Sequence, residues 1–198
     1  MNQRAARLVA ALVTVAALVT VAALLTVAAL LTAPTAVQAQ AIPESPMPAT
    51  LAEAMPGLRQ VGAGAFRWFG LKIYDATLWA QSAPPGFTQP FALSLRYARS
   101  LKGTAIAQRS IEEIERLSIG TQDKRRAWSQ AMEKLFPDVT EGSTLTGLHL
   151  PGQGARFFHD GKPLGTVPDP EFSRAFFSIW LDPATSAPEL RAALLGGR

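Results

Sequence analysis

The 198-residue chain has no cysteine. That absence excludes a disulfide framework, a thiolate nucleophile and attachment as a lipoprotein. Histidine is almost as scarce, with only His149 and His159. They fall on neighbouring expected strands, Asp160 beside the second, while a metal centre needs three or four ligands and supporting partners. The pair therefore reads as turn-proximal surface histidines. There is no G-x-S-x-G elbow and no P-loop, and Gly62-Ala63-Gly64 lacks the third spaced glycine and following helix of a dinucleotide loop. Hydrolase and nucleotide chemistry fall away, and neither metal nor other cofactor is expected. One-signed charge is also missing. Of 19 basic residues, Arg4 and Arg7 belong to the leader described next, leaving 17 against 15 acidic ones. A nearly neutral surface argues against a nucleic-acid partner, and Lys124-Arg125-Arg126 reads as a solvated helix face.

What is abundant is apolar sequence at the start. Arg4 and Arg7 precede an apolar run over residues 8–33, and Val37-Gln38-Ala39 and Ala39-Gln40-Ala41 are small-x-small sites. This is the order of an export signal. It predicts a signal peptide at residues 1–39, a flexible Pro-rich lead-in at 40–57, a single domain at 58–198, and a periplasmic or secreted location. The run exceeds the roughly 7–15 residues of a signal core and is long enough to span a bilayer. Left uncleaved, it would be an anchor and the chain's membrane contact.

Within the domain, residues 58–68 and 71–81 read as strands meeting near Phe69-Gly70. In 91–99 the residues Phe91, Leu93, Leu95 and Tyr97 alternate with smaller and polar ones, as on a half-buried strand. The period then changes: Ile106, Ile111, Ile114 and Leu117 recur at helical spacing, with Gly120 as a stop. Thr121 is placed to cap a second helix striped by Trp128, Met132, Leu135 and Phe136 and ended by Pro137. Strands are expected at 143–150, 155–159 and 163–167, the last two joined by Asp160-Gly161, a favoured hairpin turn. Asp169-Pro170 is an N-cap followed by proline at the first helical position. The helix it opens, "EFSRAFFSIWL", is apolar on most sides and so belongs to the core. Ser186-Ala187-Pro188-Glu189 has the form of a capping box for a last short helix. Blocks of strands and helices without βαβ alternation predict an α+β fold on an antiparallel sheet.

Three blocks in this order, "GAGAFRWFGLKIYDATLWA", "ALSLRYARSLKGTAIAQRSIEEI" and "GARFFHDGKPLGTVPDPEFSRAFFSIWLDPATSAPELRAALLG", resemble the chalcone isomerase-like family in its bacterial exported branch. The resemblance implies an open-faced β-sandwich: a large antiparallel sheet, a helical layer, and an apolar cleft between them. Family members either cyclise chalcones or bind fatty acids without catalysis. In both, an Arg from a G-x-G-x-R segment points into the cleft, and in the binders a Tyr on the next strand joins it at the ligand's carboxylate.

Arg67 and Tyr74 are the nearest matches, and Ser178 occupies the slot of a late-helix Thr or Ser. These three are the expected ligand-binding residues. A guanidinium fork and a phenol O–H suit a carboxylate. Arg67 falls one residue later than the family's Arg, with Phe66 at the family position. A one-residue shift reverses the face of a strand, so Arg67 reaches the cleft only through a bulge near Gly64 or the turn near Gly70. Where the plant enzymes hold a Tyr and an Asn at the first helix, this chain has Ile106 and Glu113. The resemblance therefore implies an exported, non-catalytic binder of a small apolar carboxylate such as a fatty acid. The alternatives are an intramolecular lyase of the chalcone isomerase type, and an envelope interaction module with no ligand.

Overall fold

The computed structural model describes Met47 and residues 49–197. The expected signal peptide and anchor lie outside the described residues. Six strands form one antiparallel sheet in sequence order: β1 (Arg59–Trp68), β2 (Leu71–Ala80), β3 (Phe91–Tyr97), β4 (Thr144–Leu150), β5 (Gly154–His159) and β6 (Lys162–Val167). The helices α1 (Ala49–Ala54), α2 (Gly103–Arg116), α3 (Gln122–Leu135), α4 (Pro170–Leu181) and α5 (Pro188–Leu194) complete the α+β architecture.

Local chemistry explains the joints. Phe69 and Gly70 turn β1 into β2 with φ of 47° and 79°, and Asp160 and Gly161 turn β5 into β6 with 48° and 76°. Two left-handed residues match the twist of the strands they connect. Thr121 caps α3 by accepting from the Lys124 N–H. Asp169 caps α4 by accepting from the N–H groups of Glu171 and Phe172. The expected capping box at Ser186 does not form. Ala187 is the N-cap of α5, and the Ala187 N–H instead finds the Thr185 hydroxyl at 3.2 Å.

On the inner face of the sheet Leu78, Leu93, Gly147 and Phe157 lie side by side across β2 to β5. The α4 helix covers this row, burying Phe172, Phe176, Phe177 and Trp180. Full burial of each such side chain contributes about 1.5–3 kcal/mol, which is why this helix carries almost no polar face. Glycine at 147 permits the approach: a Cβ there would come within 3.0 Å of the Phe177 ring. At β1 the contact with α5 is closer still, since a Cβ on Gly62 would lie 2.1 Å from the Ala193 carbonyl oxygen.

One expectation is corrected on the outer face. The lead-in is not structureless from residue 49: Leu51 of α1 is buried with Leu58, Trp79, Ala92, Leu148 and Phe158, and Met47 and Met55 pack against the cluster. Met47 and Met55 lie just outside the two ends of α1 and flank Leu51 on that face. This cluster supplies enough apolar contact to fold a segment whose prolines suggest otherwise.

Candidate functional site

A cavity of about 370 Å³ lies between the inner face of the sheet and helices α2 and α4. The sheet contributes Leu93, Leu95, Leu145 and Phe157 to its wall, and α4 contributes Phe176, Ile179 and Trp180. Its polar lining is small: Tyr74, Tyr97, Arg109, Ser110, Glu113 and Ser186. Among the lining residues Trp68, Ala105, Arg109 and Ser186 are exposed, which puts the mouth between the β1–β2 hairpin, the first half of α2 and the start of α5. A mostly apolar pocket of about 300–1,000 Å³ with a few convergent polar groups is the usual form of a small-molecule site.

Tyr74 and Tyr97 face one another across β2 and β3. Their rings meet edge to face at 5.8 Å, and Phe66 stacks on Tyr74 at 5.1 Å. The Trp180 Nε1–H donates to the Tyr74 hydroxyl oxygen at 3.0 Å, leaving the phenol proton of Tyr74 for another acceptor. Burial drives both phenols well above the usual tyrosine range. Each therefore stays neutral and acts as an O–H donor at physiological pH.

Charge enters the wall through α2. Glu113 is 5% exposed. Its carboxylate accepts from Arg109 Nη2 and, at 2.8 Å, from Arg116 Nε. Helical spacing of three and four residues brings these groups together. Arg109 also reaches Glu112 at 3.2 Å, and its guanidinium lies 5.3 Å from the centre of the Trp68 ring. The result is a half-exposed cation at the mouth, held over an aromatic face.

The three expected site residues separate. Tyr74 lines the cavity. Arg67 does not: it is exposed and donates to the Gly70 carbonyl at 3.3 Å. A bulge does occur, but it serves other residues. Between the pairs Phe66–Tyr74 and Arg67–Lys72 the extra residue is Ile73, on β2. It therefore turns Ile73 into the cavity beside Tyr74 and leaves Arg67 on the opposite face from Phe66 and Trp68. A second irregularity, at Val61, precedes Gly64 and keeps Gly64 and Phe66 paired with Ala76 and Tyr74 on the inward face. Ser178 is buried in α4 and is not among the residues that line the cavity. Ile106 and Glu113, by contrast, both line it.

The polar groups beyond Tyr74 came from two places. Tyr97 shares the alternating face of Leu93 and Leu95 that the sequence marks as inward, so its signal was present. Arg109 carried none, because an arginine on an otherwise charged helix face looks like any solvated one.

His149 also departs from expectation, being buried rather than turn-proximal surface. Its Nε2 lies 2.9 Å from the Phe87 carbonyl and its Nδ1 2.7 Å from the Ser173 hydroxyl. A carbonyl only accepts, so Nε2 carries the proton and Nδ1 accepts from Ser173. Desolvation lowers the His149 pKa, with the Arg174 charge adding to it against the Phe87 hydrogen bond. Among the described residues no cluster of three or more His, Asp or Glu is placed to hold a metal ion.

The chalcone isomerase-like family profile matches residues 39–196. The chain belongs to the chalcone isomerase-like family. An uncharacterised protein of Haemophilus influenzae is 28% identical over 137 residues, covering 69% of this chain and 67% of that protein. The crystal structure of a fatty-acid binding protein of Arabidopsis thaliana superposes with a TM-score of 0.56 at 12% identity, covering 72% of this chain and 88% of that one. At that identity the likeness speaks to the fold. The open six-stranded antiparallel sheet with its helices is the chalcone isomerase-like arrangement.

Proposed function

We propose that this chain is an exported, non-catalytic chalcone isomerase-like protein that holds a small apolar carboxylate, of the fatty-acid kind, in the cavity between sheet and helices. The observation that carries the reading is the cavity itself: an apolar wall, an exposed mouth, and two neutral phenols and a guanidinium at its polar end. An alkyl tail laid along Leu93, Leu145, Phe157 and Phe176 gains about 0.8 kcal/mol per buried methylene. The free O–H of Tyr74 and the fork of Arg109 then orient the carboxylate. The fatty-acid binding of the Arabidopsis neighbour supports the ligand class. Arg67 has no part in it.

The non-catalytic reading follows from the wall at α2. Where the resemblance calls for a Tyr and an Asn, the cavity meets Ile106 and the twice-bridged Glu113. Export rests on the leader at residues 1–39, with retention as an anchor as its other outcome. The protein is to be purified natively and its bound molecules identified by mass spectrometry, alongside titration with a fluorescent fatty acid. Bound fatty acid and weaker uptake by Tyr74→Phe are expected. Empty protein that takes up no probe refutes the ligand, and chalcone cyclisation above the spontaneous rate refutes the absence of catalysis. Fractionation of expressing cells tests export, and protein confined to the cytoplasm overturns it.

A further inference from the structure

The tip of the β1–β2 hairpin places Trp68, Phe69 and Leu71 in solvent at 51%, 91% and 58% exposure. Phe69 stands at φ 47°, a left-handed turn position that Asn, Asp or Gly normally fills. A phenylalanine there strains the backbone and, beyond an edge contact with the neighbouring Trp68 ring at 5.0 Å, leaves its ring in solvent, so folding gives little reason for it. We propose that this tip docks the protein on a lipid bilayer and presents the cavity mouth to it.

Four observations point to lipid. The tip is a two-residue turn, hence convex, and its three apolar side chains offer roughly 400 Å² between them, about half of the ~800 Å² that each partner gives a stable protein interface. Its composition is that of an interfacial anchor, an aromatic and aliphatic wedge with basic residues behind it. The exposed Arg67 and the half-buried Lys72 flank the turn, and Arg109 lies over the Trp68 ring. Of these Lys72 is shared with Asp75 at 2.6 Å and Arg109 with Glu112 and Glu113, so the preference for anionic lipid falls mainly to Arg67. Finally, Trp68 belongs to the tip and to the cavity lining at once. With Phe69 and Leu71 among acyl chains, the mouth meets the interface and an apolar tail moves between bilayer and cavity without crossing water. The docking stands on the tip alone; this handover rests on the ligand reading above.

The absence of cysteine makes the test site-specific. Full-length Phe69→Cys carries an environment-sensitive fluorophore, with Glu133→Cys on exposed α3 as the control. With vesicles of phosphatidylglycerol and phosphatidylethanolamine, the label at 69 blue-shifts and is quenched by shallow spin-labelled lipid, while the label at 133 stays unchanged. Weaker shifts are expected with phosphatidylcholine alone. Removing one apolar side chain from the interface, as in Phe69→Ser or Leu71→Ser, lowers vesicle affinity about tenfold. No response at 69 with any vesicle, or equal responses at both positions, overturns the proposal, and the first of these assigns the tip to a protein partner. For the handover, transfer of a fluorescent fatty acid to vesicles accelerates with vesicle concentration in the unmodified protein. In Phe69→Ser it does not, although equilibrium uptake is unchanged. Equal transfer in both refutes the handover. A protein that docks through residue 69 yet takes up no probe refutes the ligand reading and leaves the docking intact.

Discussion

Glu113→Gln is the substitution that most directly tests where a ligand's head would sit. The native carboxylate is buried in the cavity wall between Arg109 and Arg116. Removing one partner from a fully buried ion pair costs about 3–5 kcal/mol. Here the abandoned guanidinium groups are 51% and 40% exposed, so they rehydrate, and the amide keeps an acceptor oxygen. The expected loss of stability is therefore smaller, about 1–2 kcal/mol. Binding moves the other way. A carboxylate about 7 Å from Glu113 is repelled by about 2 kcal/mol at an effective dielectric near 20, and solvent at the mouth reduces this to about 1 kcal/mol. Arg109 is released at the same time, keeping only Glu112. A fatty acid should thus bind Glu113→Gln about fivefold more tightly, whereas the fatty alcohol of equal length should not. Urea unfolding measures the first effect and paired acid and alcohol titrations the second. An unchanged ratio of acid to alcohol affinity refutes the placement of the head beside Arg109 and Glu113, whatever happens to stability.

Tyr74→Phe removes the acceptor of the Trp180 indole N–H, leaving a buried donor unpaired at a cost of about 1–2 kcal/mol; denaturant unfolding should show that loss with a several-fold drop in fatty-acid affinity. Arg67→Ala should change stability by under about 0.5 kcal/mol and leave uptake unaltered, and a large loss of binding would restore Arg67 to the site. Gly62→Ala should lower stability by about 2–3 kcal/mol as its Cβ displaces the Ala193 carbonyl, read as a fall in Tm with α5 freed. His149 is neutral and buried, with its pKa depressed by desolvation, so the unfolded chain takes up a proton before the native one does. Its contribution is complete above the ordinary imidazole value of about 6.5 and shrinks as pH falls below it. Unfolding between pH 7 and 5 should show that slope, and His149→Gln should flatten it.

Much of the fold was legible because its signals are local. Alternation marked β3, the four-residue stripe of Trp128 and Met132 marked α3, and Asp169-Pro170 and Asp160-Gly161 fixed a cap and a turn by their own hydrogen-bonding chemistry. The failures share a different cause. The α1 helix was missed because its one buried apolar residue, Leu51, flanked by Met47 and Met55, is read only against the outer sheet face it covers. Ser186 looked like a cap because the pattern was present, but the helix starts one residue later, with Ala187 as its N-cap and no side-chain cap. His149 looked superficial because nothing in its neighbours in sequence announces Phe87 and Ser173, which lie 62 and 24 residues away.

Arg67 shows why the site was harder to read than the fold. Which face a strand residue occupies depends on every irregularity between it and its partners, and a single extra residue inverts the answer. The sequence placed Arg67 one step out of phase and required a bulge near Gly64 or the turn near Gly70 to restore it. The structure instead has a bulge on the next strand, where it brings Ile73 inward and does nothing for Arg67. Phe66 consequently fills the inward position with an aromatic ring stacked on Tyr74. A cation cannot then reach the cavity from β1. It comes instead from α2, where Arg109 projects over Trp68 to the mouth. Moving the charge from the strand to the helix shifts the polar end of the cavity outward, so a ligand bound here would carry its head near the surface and its tail inward. That orientation makes the acid-to-alcohol comparison sensitive to Glu113, and it sets the head beside the same hairpin that carries Phe69.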